Sequence, residues 1–272
     1  MNILEFTLIV GASSLLAGFL GALTGLGGGT VLVPVLTLLF GVDIRYAIGA
    51  SLISVIATSS GAAAAYVKEG FTNIRVGMFL EVATTCGALI GAFLATWLPT
   101  STIAIVFGIV LLGSSYLSTR PHFDRTEVTP DPLATKLRLN GSYPTAEGQQ
   151  DYFVQNVAIG FGLMLFAGTL SSLLGIGSGA VKVLAMDRAM RLPFKVSTTT
   201  SNFMIGVTAA AGAGVYLNRG YIDPGLSMPV MLGVLLGSIL GARALLVMNP
   251  NLLRKVFSLI IFLLAIQMIF NG

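Results

Sequence analysis

Long apolar runs separated by short charged clusters dominate the chain. Stretches free of Asp, Glu, Lys and Arg extend over 6–42, 46–67, 82–119, 152–181, 196–218 and 224–242. A bilayer crossing needs about 20 apolar residues, so most of these runs hold one membrane segment and some hold two. The pattern predicts segments over 6–23, 45–66, 77–97 and 102–118, with an apolar half-segment over 30–40. A second set follows over 152–174, 194–217, 226–248 and 252–270, with a half-segment over 180–190. Between the sets, residues 120–151 carry nine Asp, Glu, Lys and Arg and four prolines, which predicts an exposed hydrophilic linker. The expected organisation is a first membrane repeat over 1–119, the linker over 120–151, and a second membrane repeat over 152–272. The fold class is all-α: a polytopic membrane protein of about eight segments.

The two sets are related by a shift of 150 residues. Gly18 falls on Gly168, Leu20 on Leu170, and Gly25, Gly27 and Gly29 on Gly175, Gly177 and Gly179. Further on, Ser51 meets Ser201, Thr58 meets Thr208, Tyr66 meets Tyr216, and Gly87 and Gly91 meet Gly237 and Gly241. One fixed offset joining Gly, Ser, Thr and Tyr without a gap indicates an internal duplication. Duplicated membrane units with Gly-interrupted segments at matching positions are the pattern of secondary transporters, whose substrate sits between the repeats near the midplane.

Composition agrees: 55% of residues are apolar, 10% are charged and the mean hydropathy is +0.90. A soluble domain carries about a quarter charged residues. The first apolar run lacks a preceding Lys or Arg and is too long for a cleaved signal, so it reads as a first span. The net charge of +4 is that of cytoplasmic loops and does not indicate nucleic acid. The lone Cys86 excludes an internal disulfide and reads as a small packing residue.

Candidate chemistry begins at the glycines. Four of the five residues Gly25-Leu26-Gly27-Gly28-Gly29 are glycine, inside sequence otherwise apolar enough for lipid. Unpaired backbone groups in hydrocarbon cost several kcal/mol each, so a break is tolerated only against protein or a water-filled cavity. A half-helix starting near Thr30, and its counterpart after Gly175-Ile176-Gly177-Ser178-Gly179, would aim its first N–H groups into that cavity. Such termini carry about half a positive charge and prefer anions. Close helix packing is the other use of small residues, and it suits Gly87, Gly91, Gly237 and Gly241. Lys182, where the first repeat has Leu32, either neutralises a bound anion or snorkels from a short, tilted segment. Glu81 reads as an interfacial carboxylate rather than a proton carrier, and Arg243 as a snorkelling cation. Hydroxyls gather at one depth in both repeats, Ser51 in the first and Thr200-Ser201-Asn202 in the second. Arg45 and Lys195 align shortly before them and read equally well as loop charges. The single His122 lies in the linker, and no span holds paired carboxylates, a nucleophile with a base, or a nucleotide loop. No metal, cofactor or enzymatic activity is expected.

The glycine break followed by Val31-Leu32-Val33-Pro34, the element Ala47-Ile48-Gly49-Ala50-Ser51, Thr200-Ser201-Asn202-Phe203, and the run from Tyr216 to Pro224 together resemble the sulfite exporter TauE/SafE family. The resemblance covers both repeats. It implies an inner-membrane permease of the bacterial type that moves sulfite, sulfoacetate or related small anions, usually outward, in a lipid bilayer. A homodimer is left open, and a passive anion channel of the same architecture is the alternative. The substrate-binding set is Gly25, Gly27, Gly28, Gly29, Thr30, Ser51, Gly175, Gly177, Ser178, Gly179, Lys182, Thr200, Ser201 and Asn202. Two positions depart from the family pattern: Ser178 replaces a glycine, and Ala50 stands where a Thr-Ser pair is expected.

Overall fold

A computed structural model of the chain describes residues 3–24, 29–68, 71–118, 131–145, 148–177, 179–245, 259 and 262–270. Apolar runs this long can satisfy their backbone only as helices, and the protein is mostly helical. In order come α1 (Ile3–Thr24), α2 (Gly29–Pro34) running into a π-helical turn (Val35–Leu39), α3 (Ile44–Lys68), α4 (Ile74–Trp97) and α5 (Thr100–Ser118). After the linker come α7 (Val157–Leu174), α8 (Gly179–Leu184) with its π-helical turn (Ala185–Ala189), α9 (Phe194–Asn218) and α10 (Pro224–Leu245). Within the linker lie a short α6 (Pro132–Lys136) and two strands, β1 (Gly141–Thr145) and β2 (Gly148–Tyr152).

Local devices recur at the sequence offset. Asn73 Oδ1 accepts the Val76 N–H at 3.0 Å to cap α4, and Asp223 Oδ1 accepts the Leu226 N–H at 3.0 Å to cap α10. Each π-helical turn ends in a bond that reaches back six residues, Val42 N–H to Leu36 O and Leu192 N–H to Met186 O.

The helices pack across the two halves more than within them. The broadest contacts join α1 to α10 and α4 to α7. They depend on missing side chains: Gly18 lies against the Val234 carbonyl and Gly237 against that of Leu15. At the other contact, Gly168 lies against the Thr84 carbonyl and Gly87 against that of Leu165. Moving each residue by 150 into the other half turns one set of pairs into the other. Between these pairs α3 crosses α9 in the opposite direction, since Leu52 meets Gly212 while Ser59 meets Gly206. By contrast α4 and α9 run the same way, with Asn73 at Thr200, Gly77 at Phe203 and Glu81 at Thr208.

Three helices, Ile74–Trp97, Val157–Leu174 and Pro224–Gly241, are long and apolar enough to cross a membrane, and shorter apolar helices accompany them. Met78, Val82, Phe93 and Trp97 of α4, and Leu232, Leu236 and Leu240 of α10, are exposed large apolar residues. That surface suits hydrocarbon and not water. Cys86 is exposed on the same helix, so it is not the packing residue expected.

The linker departs from expectation. Its strands pair antiparallel from Gly141↔Tyr152 to Thr145↔Gly148, so the described residues are not all-α. Ala134, Leu139 and Val154 are buried in one cluster with Val76, Leu80 and Met190. Asp131 caps α6 through the Leu133 N–H (2.8 Å) and also accepts the Val157 N–H of α7 (3.1 Å). Asn73 Nδ2 donates to Leu139 O (2.9 Å) and Tyr152 Oη (2.7 Å). A few apolar side chains interspersed among the linker charges are enough to dock this segment over the start of α4 and α7.

Candidate functional site

The second glycine break is described from Gly175 to Gly177 and again from Gly179; Gly25, Gly27, Gly28 and Ser178 lie outside the described residues. Gly175 closes α7 in the left-handed conformation at φ 68°, and its N–H donates to Ser171 O at 2.9 Å. Gly177 holds φ 68° as well. Two left-handed residues so close together end α7 ahead of α8, a backbone that glycine adopts without a Cβ penalty.

The first break meets the second here. A Cβ built on Gly29 would lie 2.5 Å from Gly175 O and 2.6 Å from Ser51 Oγ. The Ser51 hydroxyl donates to Gly175 O at 2.6 Å, so a side chain of the first half satisfies a turn carbonyl of the second. Val55 and Ile205 flank Gly177, and the Ser201 hydroxyl donates to Gly179 O at 3.4 Å. Gly29, Ser51, Gly175, Gly177, Gly179 and Ser201 thus gather where α2, α3, α8 and α9 approach one another, and Thr30 is buried beside them in sequence. Thr200 does not join them. Its Oγ1 accepts the Asn73 N–H at 3.0 Å and ties α9 to the start of α4. Asn202 lies half-buried in α9.

Lys182 is fully buried, with 0% exposure, which removes the snorkelling reading. Its Nζ donates to Thr208 Oγ1 at 2.6 Å. Thr208 Oγ1 lies 2.8 Å from Glu81 Oε1 and 3.0 Å from Met204 O, and its one proton serves one of them at a time. Glu81 Oε1 also accepts from the Thr85 hydroxyl at 3.2 Å, while Oε2 is buried without a hydrogen-bond partner among the described residues. Glu81 is therefore a half-buried carboxylate turned towards a buried ammonium across a hydroxyl, not a headgroup-solvated one. A buried charge persists only with compensation, and the sequence held the clue in two opposite charges placed inside apolar runs. Their counterparts 150 residues away are Leu32 for Lys182 and Met231 for Glu81, with Thr58 for Thr208. The pair takes one charge from each half, and the set of positions related to it by the offset carries neither charge.

Arg45 and Lys195 stand apart from the breaks. Arg45 donates to Ala95 O (3.1 Å) and Leu98 O (2.8 Å) at the end of α4, beneath the ring of Tyr221 at 5.7 Å. Lys195 lies 5.7 Å from the centre of the Phe71 ring. A cavity of about 330 Å³ opens elsewhere, between α5 and the first π-helical turn, lined by Thr37, Asp43, Thr100, Ser101 and Met268 among others.

Comparison with known proteins agrees with a membrane protein built over the whole chain. The probable membrane transporter protein YunE of Bacillus subtilis is 26% identical, covering 99% of both chains. YdhB of the same organism, another probable membrane transporter protein, is 26% identical over 89% of this chain and 88% of its own. The probable membrane transporter protein MJ0441 of Methanocaldococcus jannaschii is 24% identical over 98% and 96%. No solved structure matches. The model of the sulfite exporter TauE/SafE family matches residues 10–268, from α1 through both breaks to the last described helix, and the chain belongs to that family.

Proposed function

We propose that the protein is a secondary transporter of small anions such as sulfite or organosulfonates, working as an exporter in a bacterial-type inner membrane. The observation that carries this reading is the meeting of the two glycine breaks at Gly29, Ser51 and Gly175, with the buried Lys182 one turn beyond Gly179. Counting each broken segment as one crossing gives about eight segments in two repeats. Antiparallel α3 and α9 at corresponding positions support inverted repeats, the arrangement that brings two breaks together at the midplane. Half-helix termini and Lys182 then supply donors and charge for an anion, while the Ser51 and Ser201 hydroxyls hold the turn carbonyls of Gly175 and Gly179 in place. Purified protein in liposomes should take up sulfite or sulfoacetate with saturation and show counterflow. Uptake no faster than in empty vesicles rules the reading out, and non-saturating flux without counterflow favours a passive channel.

Orientation follows from charge. The face that carries the linker holds Arg75, Lys136, Arg138, Arg188, Arg191 and Lys195, whereas Arg45 and Arg219 lie at the other end of the helices. Excess Lys and Arg mark the cytoplasmic side, so the linker faces the cytoplasm. With Cys86→Ser as background, an Arg138→Cys variant should react with an impermeant maleimide in inside-out vesicles and not in intact cells. Labelling from outside the cell reverses the assignment.

A further inference from the structure

Lys182, Thr208 and Glu81 come from α8, α9 and α4, and they bring the two opposite charges found inside the membrane body to one hydroxyl. The fold does not demand them, since the counterpart positions hold Leu32 and Met231 around a retained Thr58. Leu32 is as fully buried as Lys182, and Thr58 makes the same bond to its own helix, to Ser54 O at 3.0 Å. A pair with a fully buried ammonium, at positions whose counterparts are a leucine and a methionine, is maintained for its charges.

Those charges constrain what can occupy the site. An anion that binds the Lys182 ammonium displaces Glu81 from its role as counter-ion and leaves a second negative charge in low dielectric, which is costly. Among the described residues no other cation faces it. α7, packed against α4, has no Asp, Glu, Lys, Arg or His. α9 presents Thr208, with Lys195 on the Phe71 ring at one end and the Tyr216 hydroxyl on Ser172 O towards the other. α4 itself has Arg75, which donates to Arg138 O in the linker.

We propose that Glu81 carries a proton across the membrane together with the anion. Ionised, it holds the Lys182 charge through Thr208; protonated, it releases that charge to the anion. On the loading side, one hydronium proton adds to a Glu81 carboxylate oxygen as one monovalent anion pairs with Lys182. On the release side, the anion leaves and the proton returns to water. Each turn moves one proton and one negative charge the same way, so transport is electroneutral, and the sum of the two gradients sets its direction. Oε2, buried without a hydrogen-bond partner among the described residues, is the oxygen with lone pairs left to take the proton. This rests on the anion-transport reading above.

The test uses full-length protein in liposomes containing a pH-sensitive dye, with a sulfite gradient. Wild-type protein should move protons in the direction of sulfite, at a rate unaffected by an imposed potassium-diffusion potential. Glu81→Gln should still exchange sulfite for sulfite, yet its sulfite-driven proton movement should fall to that of empty vesicles, and its net flux should respond to the potential. Glu81→Asp should restore proton movement. Should the glutamine variant not fold, Glu81→Met, the residue of the counterpart position, is read by the same criteria. Sulfite movement without protons in wild type, proton coupling that survives Glu81→Gln, or a monodisperse Glu81→Gln protein that exchanges no sulfite each overturns the proposal. If wild-type protein moves neither sulfite nor sulfoacetate, the anion-transport reading fails first and this proposal falls with it.

Discussion

Lys182→Leu should destabilise the folded protein by about 3–5 kcal/mol, and adding Glu81→Met should return most of that loss. The single change removes the ammonium and leaves the Glu81 carboxylate facing Thr208 with nothing to balance it. The double change removes both charges and copies the residues found at the two offset-related positions, Leu32 and Met231. Replacing a buried ion pair by apolar residues of similar volume is often neutral, whereas breaking one is not. Where Glu81 is removed, the Thr208 hydroxyl still has Met204 O, 3.0 Å away, to accept its proton. Reversible unfolding of the four proteins in detergent closes the double-mutant cycle. A coupling near zero would mean that the two groups do not compensate each other. The double variant should also be inactive in sulfite uptake, which separates the stability of the pair from its use.

Gly29→Leu should abolish transport and lower stability by about 1–3 kcal/mol or more. Its Cβ would fall 2.5 Å from Gly175 O, a backbone atom that already accepts the Ser51 hydroxyl and belongs to a residue held at φ 68°. A carbonyl tied in this way cannot move aside as a flexible side-chain end could, so α2 must shift from the second break. Gly162→Ala is the control: Gly162 lies in α7 with nothing within 4 Å of the added carbon, and the change should be neutral or mildly stabilising. Uptake assays alongside thermal unfolding distinguish a lost site from a lost fold. Wild-type uptake in a folded Gly29→Leu protein would remove the glycine breaks from the mechanism.

The helical stretches after the breaks are legible from the chain to within a residue: the pattern predicts 30–40 for the one found at Gly29–Leu39 and 180–190 for the one found at Gly179–Ala189. Residues 252–258 of the segment expected over 252–270 lie outside the described residues. Hydrophobic runs and glycine breaks are local signals, so they survive folding unchanged. Individual side chains were less legible. Thr200 was placed with Ser201 at the breaks because the two are adjacent, yet successive helical residues point about 100° apart, and Thr200 turns to Asn73 while Ser201 turns to Gly179. The linker hairpin was missed because its charges dominate the composition, although its few apolar residues are the ones that dock.

The sequence by itself determined a membrane-embedded helical chain, its two glycine breaks and the offset between its halves, since apolar length and glycine spacing depend on neighbouring residues alone. Only the tertiary structure decided that the breaks touch at Gly29 and Gly175, that α3 and α9 run in opposite directions, and what Lys182 faces. Its hydroxyl partner lies 26 residues away, and the carboxylate beyond lies another 127 from that. Which charge compensates which is set by helix packing, because in a low-dielectric interior a charge is balanced by what lies a few ångströms away in space, whatever its place in the chain.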